Sequence, residues 1–239
     1  MAVIAMWAHS RSTSTAFLRM MIERGDVVVV HEPWLEFTDT GRVELPGADG
    51  RQAVATSDQE LIDHLTALGA NSTVFVKEVL DHRYPGVFEN PARLAPFVHV
   101  FIAREPRQTI ASHYAMKPTV TRPEIGFERL YELFELLRGV CDRQPLVLRS
   151  ERLLTDTETA VRTFCRYTGL PYLPRAMSWQ PQERAEWQRH RAWHIDAINS
   201  SGFADRGNDY EVTVDNSPLL KDFYDHHRPF YEKLVEHAD

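Results

Sequence analysis

Near its start the sequence reads WAHSRSTSTAFLRMM, from Trp7 to Met21, directly after the apolar stretch MAVIAM. Arg11, Ser12, Thr13, Ser14 and Thr15 set one guanidinium and four hydroxyls side by side. Between a strand and a helix, such a run is an anion cradle. The first N–H groups of a helix lack intrahelical partners and point at one spot. The hydroxyls add donors, and the guanidinium offers a fork that suits a pair of phosphate oxygens. The bland alternative is a plain Ser/Thr helix cap. The position straight after a first strand favours the anion site. The loop contains no glycine and no lysine follows it, so the GxxxxGK[ST] pattern is absent. Without that lysine and the magnesium-binding hydroxyl, the loop suits a phosphate rather than a triphosphate. A second cationic stretch, FIAREPRQTIASHY, closes an apolar run with Arg104, sets Arg107 in a first helical turn, and places Ser112 about two turns beyond Arg104.

The stretch VVVVHEPW carries His31, Glu32 and Pro33 at the end of a β-branched run. In a parallel sheet that edge is where ligands bind, and a carboxylate there can accept a hydroxyl proton. Glu32 is therefore the candidate base, with His31 orienting it. The structural alternative is a Glu tied to a nearby Arg. Burial would raise the Glu32 pKa and Arg11 beside it would lower it, and sequence alone does not give the net sign. VFVKEVLDH adds Lys77, Glu78 and His82 at the end of another strand, and Glu78 and His82 are further candidates for the base. His190 and His194 lie four apart in HRAWH, which lacks the Glu of a zinc-protease motif and a clear third ligand, so no metal is expected. Trp179, Trp187 and Trp193 crowd one region, as core or as the lining of an aromatic acceptor pocket, with core favoured.

The elements that must position these residues alternate. Residues 2–7, 27–31, 73–77, 97–103 and 145–149 are short apolar runs of strand length, as in central parallel strands. Residues 13–24, 106–115, 126–140, 156–168 and most of 217–237 carry helical patterns. Ser57 caps a helix running to about residue 68, with Glu60 as its capping-box partner. Gly169 and Pro171 stop the helix over 156–168. Residues 38–56, polar with glycines and a proline, are predicted as a loop excursion. Alternation of this kind predicts a parallel sheet of about five strands covered on both faces, a P-loop-like three-layer α/β sandwich in one domain over 1–239.

The chain has 239 residues, enough for a sizeable core. Its net charge of -7 argues against a general nucleic-acid binder. Among its basic residues 23 are Arg and four are Lys. No apolar run has the length of a membrane span and no signal peptide is visible, so a cytoplasmic protein is expected. Cys141 and Cys165 form no CxxC and are expected as buried thiols rather than a disulfide. Nothing in the sequence sets the oligomeric state, and a homodimer is left open.

Taken in order, from Trp7 to about Phe203, these motifs resemble the sulfotransferase superfamily that uses 3'-phosphoadenosine 5'-phosphosulfate (PAPS). In the subgroup related to branched-chain-aminotransferase-like proteins, the 5'-phosphosulfate loop reads roughly W-x-x-P-R-x-x-S-T. Trp7, Arg11, Ser14 and Thr15 match it, and Ser10 replaces the Pro. REPRQTIASHY resembles the 3'-phosphate motif, which implies that Arg104 and Ser112 hold that phosphate. LVLRSERLL…GLPY resembles a strand-loop-helix that often reads Y-E-D-L, matched here at Glu151 and Leu153 but not at Ser150 or Arg152. AWHIDAINSSGF resembles a late loop that closes over the nucleotide, which implies Ser200, Ser201 and Gly202 as further contacts. Some bacterial members use a Glu after the second strand as base, in agreement with Glu32. Cytosolic animal members carry a catalytic His in K-T-H, and here Glu78 follows Lys77 with no His in the third place.

The resemblance implies a transferase that moves a sulfuryl group from PAPS to a hydroxyl of a small alcohol or phenol, releases PAP, and needs no metal. A sulfuryl group carries less charge than a terminal phosphoryl group. Stabilisation must then fall on the bridging oxygen and the departing phosphate, which the donors of the first loop can supply. Two other readings stay open: a small-molecule phosphotransferase on the same plan, and a nucleotide-binding protein that has kept the cradle without catalysis.

Overall fold

The computed structural model describes residues 1–184, 187–204, 207 and 209–238. Five strands build one sheet in the order β2-β5-β1-β6-β7, every pairing parallel: β1 Val3–Ala8, β2 Val28–His31, β5 Val74–Val79, β6 Val98–Ala103 and β7 Leu146–Arg149. All six residues of β1 and all six of β5 are buried, so these central strands are apolar along nearly their whole length instead of alternating.

Side-chain alternation along β1 divides the core into two layers. Val3, Ala5 and Trp7 face one cluster with Leu61 and Leu65 of α3 (Asp58–Asn71), Leu130 and Leu133 of α6 (Phe127–Val140), and Leu220 of α10 (Pro218–Val235). Ile4, Met6 and Ala8 face the other, with Phe17 and Leu18 of α1 (Ser14–Arg24) and Phe164 of α8 (Thr157–Thr168). The result is the expected α/β sandwich, a parallel five-stranded sheet between two helical layers. After β5 the chain crosses β1 to lay down β6 on its far side. The loops at the carboxyl ends of β1, β5 and β6 therefore part around a crevice, the place where open α/β sheets bind ligands.

Residues 38–56 differ from the loop expected. A helix α2 (Pro33–Thr40) runs into the segment, and β3 (Val43–Pro46) pairs antiparallel with β4 (Gln52–Ala55) in a hairpin. Val43 and Leu45 turn inward while Glu44 and Pro46 face out, a period of two carried by only four residues and masked by the surrounding glycines. The hairpin packs Val43, Leu45 and Ala55 onto the core layer of α3.

Ser57 caps α3 as expected, its hydroxyl accepting from the Glu60 N–H at 3.2 Å. Glu60 reaches back to the N–H and hydroxyl of Thr56 rather than to Ser57, one residue earlier than a capping box would place it. Gly169 ends α8 at φ 75°, a left-handed conformation that glycine adopts without strain. Cys165 is buried, Cys141 only half-buried, and both are free thiols. Among the described residues no helix is long and apolar enough to cross a membrane.

Candidate active site

The loop from β1 to α1 leaves the sheet at its centre. Arg11 and Thr13 take positive φ values of 64° and 69°, and Ser12 between them does not. Alternation of hand turns successive N–H groups toward one side, which makes an anion-binding nest. Phosphate loops commonly use glycine for such turns. Here an arginine and a β-branched threonine hold them, at roughly 1–3 kcal/mol each. The surroundings over-determine the conformation. The Ser150 hydroxyl, on the short helix α7 (Ser150–Thr155), donates to the Ser12 carbonyl, and Phe17 N–H donates to Thr13 O at 3.2 Å. Thr13 stands at the N-cap of α1 but makes no side-chain cap bond, so the plain-cap alternative does not describe this loop. Ser12 is 1% exposed, and its buried hydroxyl has no partner among the described residues.

His9 pins the nest to the neighbouring strand. Burial lowers its pKa to about 3, so the ring is neutral. Nε2 accepts the Arg104 N–H at 3.0 Å, which leaves Nδ1–H to donate to Ser10 O at 2.8 Å. Its ring lies 4.1 Å from that of Phe127, and Gly126 at φ 89° lets the backbone pass, since a Cβ there would come within 3.3 Å of His9. Glu151 accepts the Glu105 N–H at 2.7 Å. The RSER stretch thus braces both loops, Ser150 on the nest and Glu151 on the turn after β6.

A cleft of about 470 Å³ opens over these loops at the carboxyl edge of the sheet. Arg11, Ser12, Thr13, Ser14 and Thr15 all line it, as do Arg104, Glu32 and Gly202. Ser112, on α5 (Pro106–Met116), is buried beside it, and its hydroxyl accepts from Arg11 Nε at 2.8 Å. The two cationic stretches of the sequence therefore meet. Arg11 also donates to Asp196 Oδ2 at 2.7 Å and to the Trp193 carbonyl at 3.3 Å, both on α9 (Arg191–Ile198). Arg104 holds Gln108 at 2.6 Å. Arg107 faces away, paired with Asp215 and lying over the Tyr224 ring. In the late loop Ser200 and Gly202 line the cleft, while Ser201 is exposed and outside the lining, its carbonyl accepting from Trp179 N–H at 3.1 Å. Trp179 and Trp187 are core, and Trp193 lines the cleft.

On the other side of the nest stand the carboxylates. Glu32 closes β2 in a left-handed conformation, φ 48°, and its N–H donates to Lys77 O at 2.7 Å. The register that sets His31 beside Lys77 brings the Lys77 ammonium onto the Glu32 carboxylate. Both side chains are almost wholly buried. Burial alone would raise the Glu32 pKa, but Lys77, helped by His31, holds it well below the usual carboxylate range. The neighbour that decides the sign is Lys77, not Arg11. His31 approaches Glu32 Oε1 at 3.4 Å and its ring packs edge-on against His194, 5.1 Å away. Glu78 is fully buried and does not line the cleft. Its two oxygens accept the N–H groups of Val79 and Trp34, and burial, with Glu32 nearby, pushes its pKa well up. His82 is exposed at the cleft rim.

His190 and His194 do not form a pair. His190 faces Asp39 at 3.3 Å, and His194, its pKa lowered to about 3 chiefly by burial, sits over Glu32. His31, Glu32 and His194 bring ligand atoms within 4.8 Å of one another. Lys77 already occupies the carboxylate, so a metal cation there would meet an ammonium group. This donor set does not suit one.

The sulfotransferase domain family matches residues 1–238, so the chain belongs to that family. It is 24% identical over 214 residues to branched-chain-amino-acid aminotransferase-like protein 1 of Arabidopsis thaliana, a match that covers 84% of this chain. The chain spans only 36% of that plant protein's length. Its fold is similar to the sulfotransferase domain from the curacin biosynthetic pathway, with a TM-score of 0.56, 12% identity, and coverage of 100% of this chain and 99% of that one. The sulfotransferase from Alicyclobacillus acidocaldarius is as similar, with a TM-score of 0.56, 12% identity, and coverage of 100% and 97%.

Sequence reasoning singled out the nest, Arg104, Ser112 and Glu32. It missed the His9 clamp, the Asp196 partner of Arg11, and Asp81, which lines the cleft with Oδ2 on the Ser10 hydroxyl at 2.6 Å. The Asp81 carboxylate lies two residues beyond β5, in a stretch where only the flanking Glu78 and His82 stood out.

Proposed function

We propose that the chain transfers a sulfuryl group from PAPS to a hydroxyl of a small alcohol or phenol, in line, and releases PAP. The observation that carries this reading is the strained nest of Arg11 and Thr13, which opens onto the same cleft as Arg104. Two anion sites on one cleft suit a donor with phosphate at both its 5' and 3' positions. The unpartnered Ser12 hydroxyl within the nest suits the same ligand. Ser12, Thr13, Ser14 and Thr15 would hold the 5'-phosphosulfate through hydroxyls and N–H groups, and Arg104 and Ser112 the 3'-phosphate, with Gly202 closing the cleft.

When bound, PAPS supplies an activated sulfuryl group whose bridging oxygen departs on phosphate. Arg11 sits where negative charge grows on that phosphate, and such donors stabilise the transition state more than the ground state. Glu32 stays ionised through Lys77, so it offers the acceptor hydroxyl a fixed negative charge. His31 touches Glu32 and keeps its place. A group held so far below neutrality is a weak proton acceptor at pH 7, since a base works best with a pKa near the operating pH.

The test is thermal. PAP at a hundredfold excess over its dissociation constant should stabilise the fold by about 2.7 kcal/mol. AMP, which lacks the 3'-phosphate, should bind much more weakly. Equal affinity for PAP and AMP would remove Arg104 and Ser112 from the donor site.

A further inference from the structure

The proposed transfer needs a group to take the acceptor's proton, and among the described residues five carboxylates line the cleft. Four are already engaged by cationic side chains or a histidine. Lys77 holds Glu32, Lys117 holds Glu124, Arg11 holds Asp196 at 2.7 Å, and Asp39 faces Arg189 at 3.9 Å and His190 at 3.3 Å. Glu78 lies outside the cleft, held by two backbone N–H groups. Asp81 differs. It lines the cleft and has no cation at ion-pair distance among the described residues. Its Oδ2 accepts from Ser10, while its Oδ1 is buried without a partner among the described residues.

We propose that Asp81 is the catalytic residue that removes the proton from the acceptor hydroxyl. The inference rests on the sulfuryl-transfer reading and assigns its base. Ser10 immediately precedes Arg11, so the bond from Ser10 ties the carboxylate to the loop that holds the donor. That bond fixes the carboxylate in place while its side chain keeps a face on the cleft. In the step, a lone pair of the acceptor oxygen forms the new O–S bond. The S–O bond to the 5'-phosphate breaks, and its electron pair stays on the departing phosphate oxygen. The acceptor's proton passes to the Asp81 carboxylate, and its later loss to solvent restores the charge.

The surroundings tune Asp81 for this exchange. Burial, with Glu32 at the end of β2 adding its charge, raises the pKa to about 6, against the Ser10 hydrogen bond, Lys77 on β5 and His82. The Tyr84 hydroxyl donates to Val79 O at 2.9 Å, two residues before Asp81, and Arg129 of α6 holds the Asp81 carbonyl. A base near neutrality combines an ionised form at pH 7 with a useful affinity for protons.

The experiment compares the full chain with Asp81→Asn in three measurements. First, PAP should raise the melting temperature of both proteins alike. No PAP shift in the wild type would overturn the donor reading, and with it this inference. Second, both are assayed with PAPS against simple alcohols and phenols, beginning with benzyl alcohol and 4-nitrophenol. Asp81→Asn should lose about 10²–10⁴-fold in kcat/KM with the alcohol. The loss should be far smaller with the phenol, which ionises by itself. Equal losses on both acceptors, or none on either, would overturn the base assignment. PAP binding with no turnover of any acceptor by the wild type would overturn the hydroxyl-transfer reading and the assignment together. Third, carboxyl carbon resonances of the ¹³C-labelled proteins identify Asp81 by its absence from the variant. Its midpoint should lie about 6 and rise when PAP is added. An ordinary midpoint of about 3.9 that PAP leaves unmoved would also overturn the assignment.

Discussion

Replacing Lys77 by Met keeps most of the side-chain volume and removes the cation that holds Glu32. Lys77 is 1% exposed and Glu32 6%, so the carboxylate then has no solvent to replace the ammonium. Breaking a buried pair from one side costs about 3–5 kcal/mol, because the other charge is left uncompensated. For a chain of this length each kcal/mol moves the melting temperature by roughly 2–4 °C, so a fall of roughly 6–20 °C is expected at pH 7.5. The loss must also depend on pH. In the wild type the folded Glu32 pKa is depressed, so its contribution is complete above the unfolded value of about 4.3 and is lost only as pH falls through the lower folded value. In the variant only His31 and His194 still oppose burial, the folded pKa rises above the unfolded one, and stability is lost as pH rises through that window. Protonation of Glu32 therefore relieves the variant in acid. Each pH unit inside the window returns about 1.4 kcal/mol, so moving from pH 7.5 to 5.5 narrows the gap to the wild type by up to about 2.7 kcal/mol. Urea unfolding at both pH values measures the gap directly. A loss below about 1 kcal/mol, or one that does not change between pH 7.5 and 5.5, would refute the reasoning.

Arg11→Ala should lower kcat more than it weakens donor binding, by about 10²–10³-fold if Arg11 meets the charge growing on the leaving phosphate. Arg104→Ala should chiefly raise KM for PAPS, and indistinguishable kinetics for the two variants would dissolve that division of labour. Transfer should persist in EDTA, because the loop carries no magnesium-binding hydroxyl after a lysine. Activity that chelation abolishes and magnesium restores would move the assignment to a phosphotransferase.

The parts of this site that sequence could show are those built from neighbours in the chain. Strand, hydroxyl-rich loop and helix follow one another from Val3 to Arg24, so the nest was legible as a unit, and the strand–Arg–helix–Ser order did the same for Arg104 and Ser112. What stayed hidden depends on strand order and register. Lys77 meets Glu32 because β5 lies between β2 and β1, a placement that no local pattern encodes. The sign of the Glu32 shift followed from that placement alone. Asp81 escaped notice because its distinction is an unfilled hydrogen bond, and an isolated Asp after a strand reads as a turn residue. The hairpin over Val43–Pro46 and Gln52–Ala55 escaped because four residues of alternation are too few to stand out among glycines and polar side chains.

The contact between Arg11 and Asp196 gives the cleft an order of events. Five N–H donors make up a guanidinium, and Arg11 already commits three nitrogens, to Ser112, Trp193 and Asp196. Under the proposed donor binding, a phosphate arriving at the nest competes with the Asp196 carboxylate for the same fork, and winning either terminal nitrogen of Arg11 loosens a tie to α9. In the proposed reaction the spent nucleotide leaves against the reverse exchange, with Asp196 ready to reclaim the arginine. An internal carboxylate of this kind would weaken the grip on substrate and product alike, and trade affinity for a faster departure of the product.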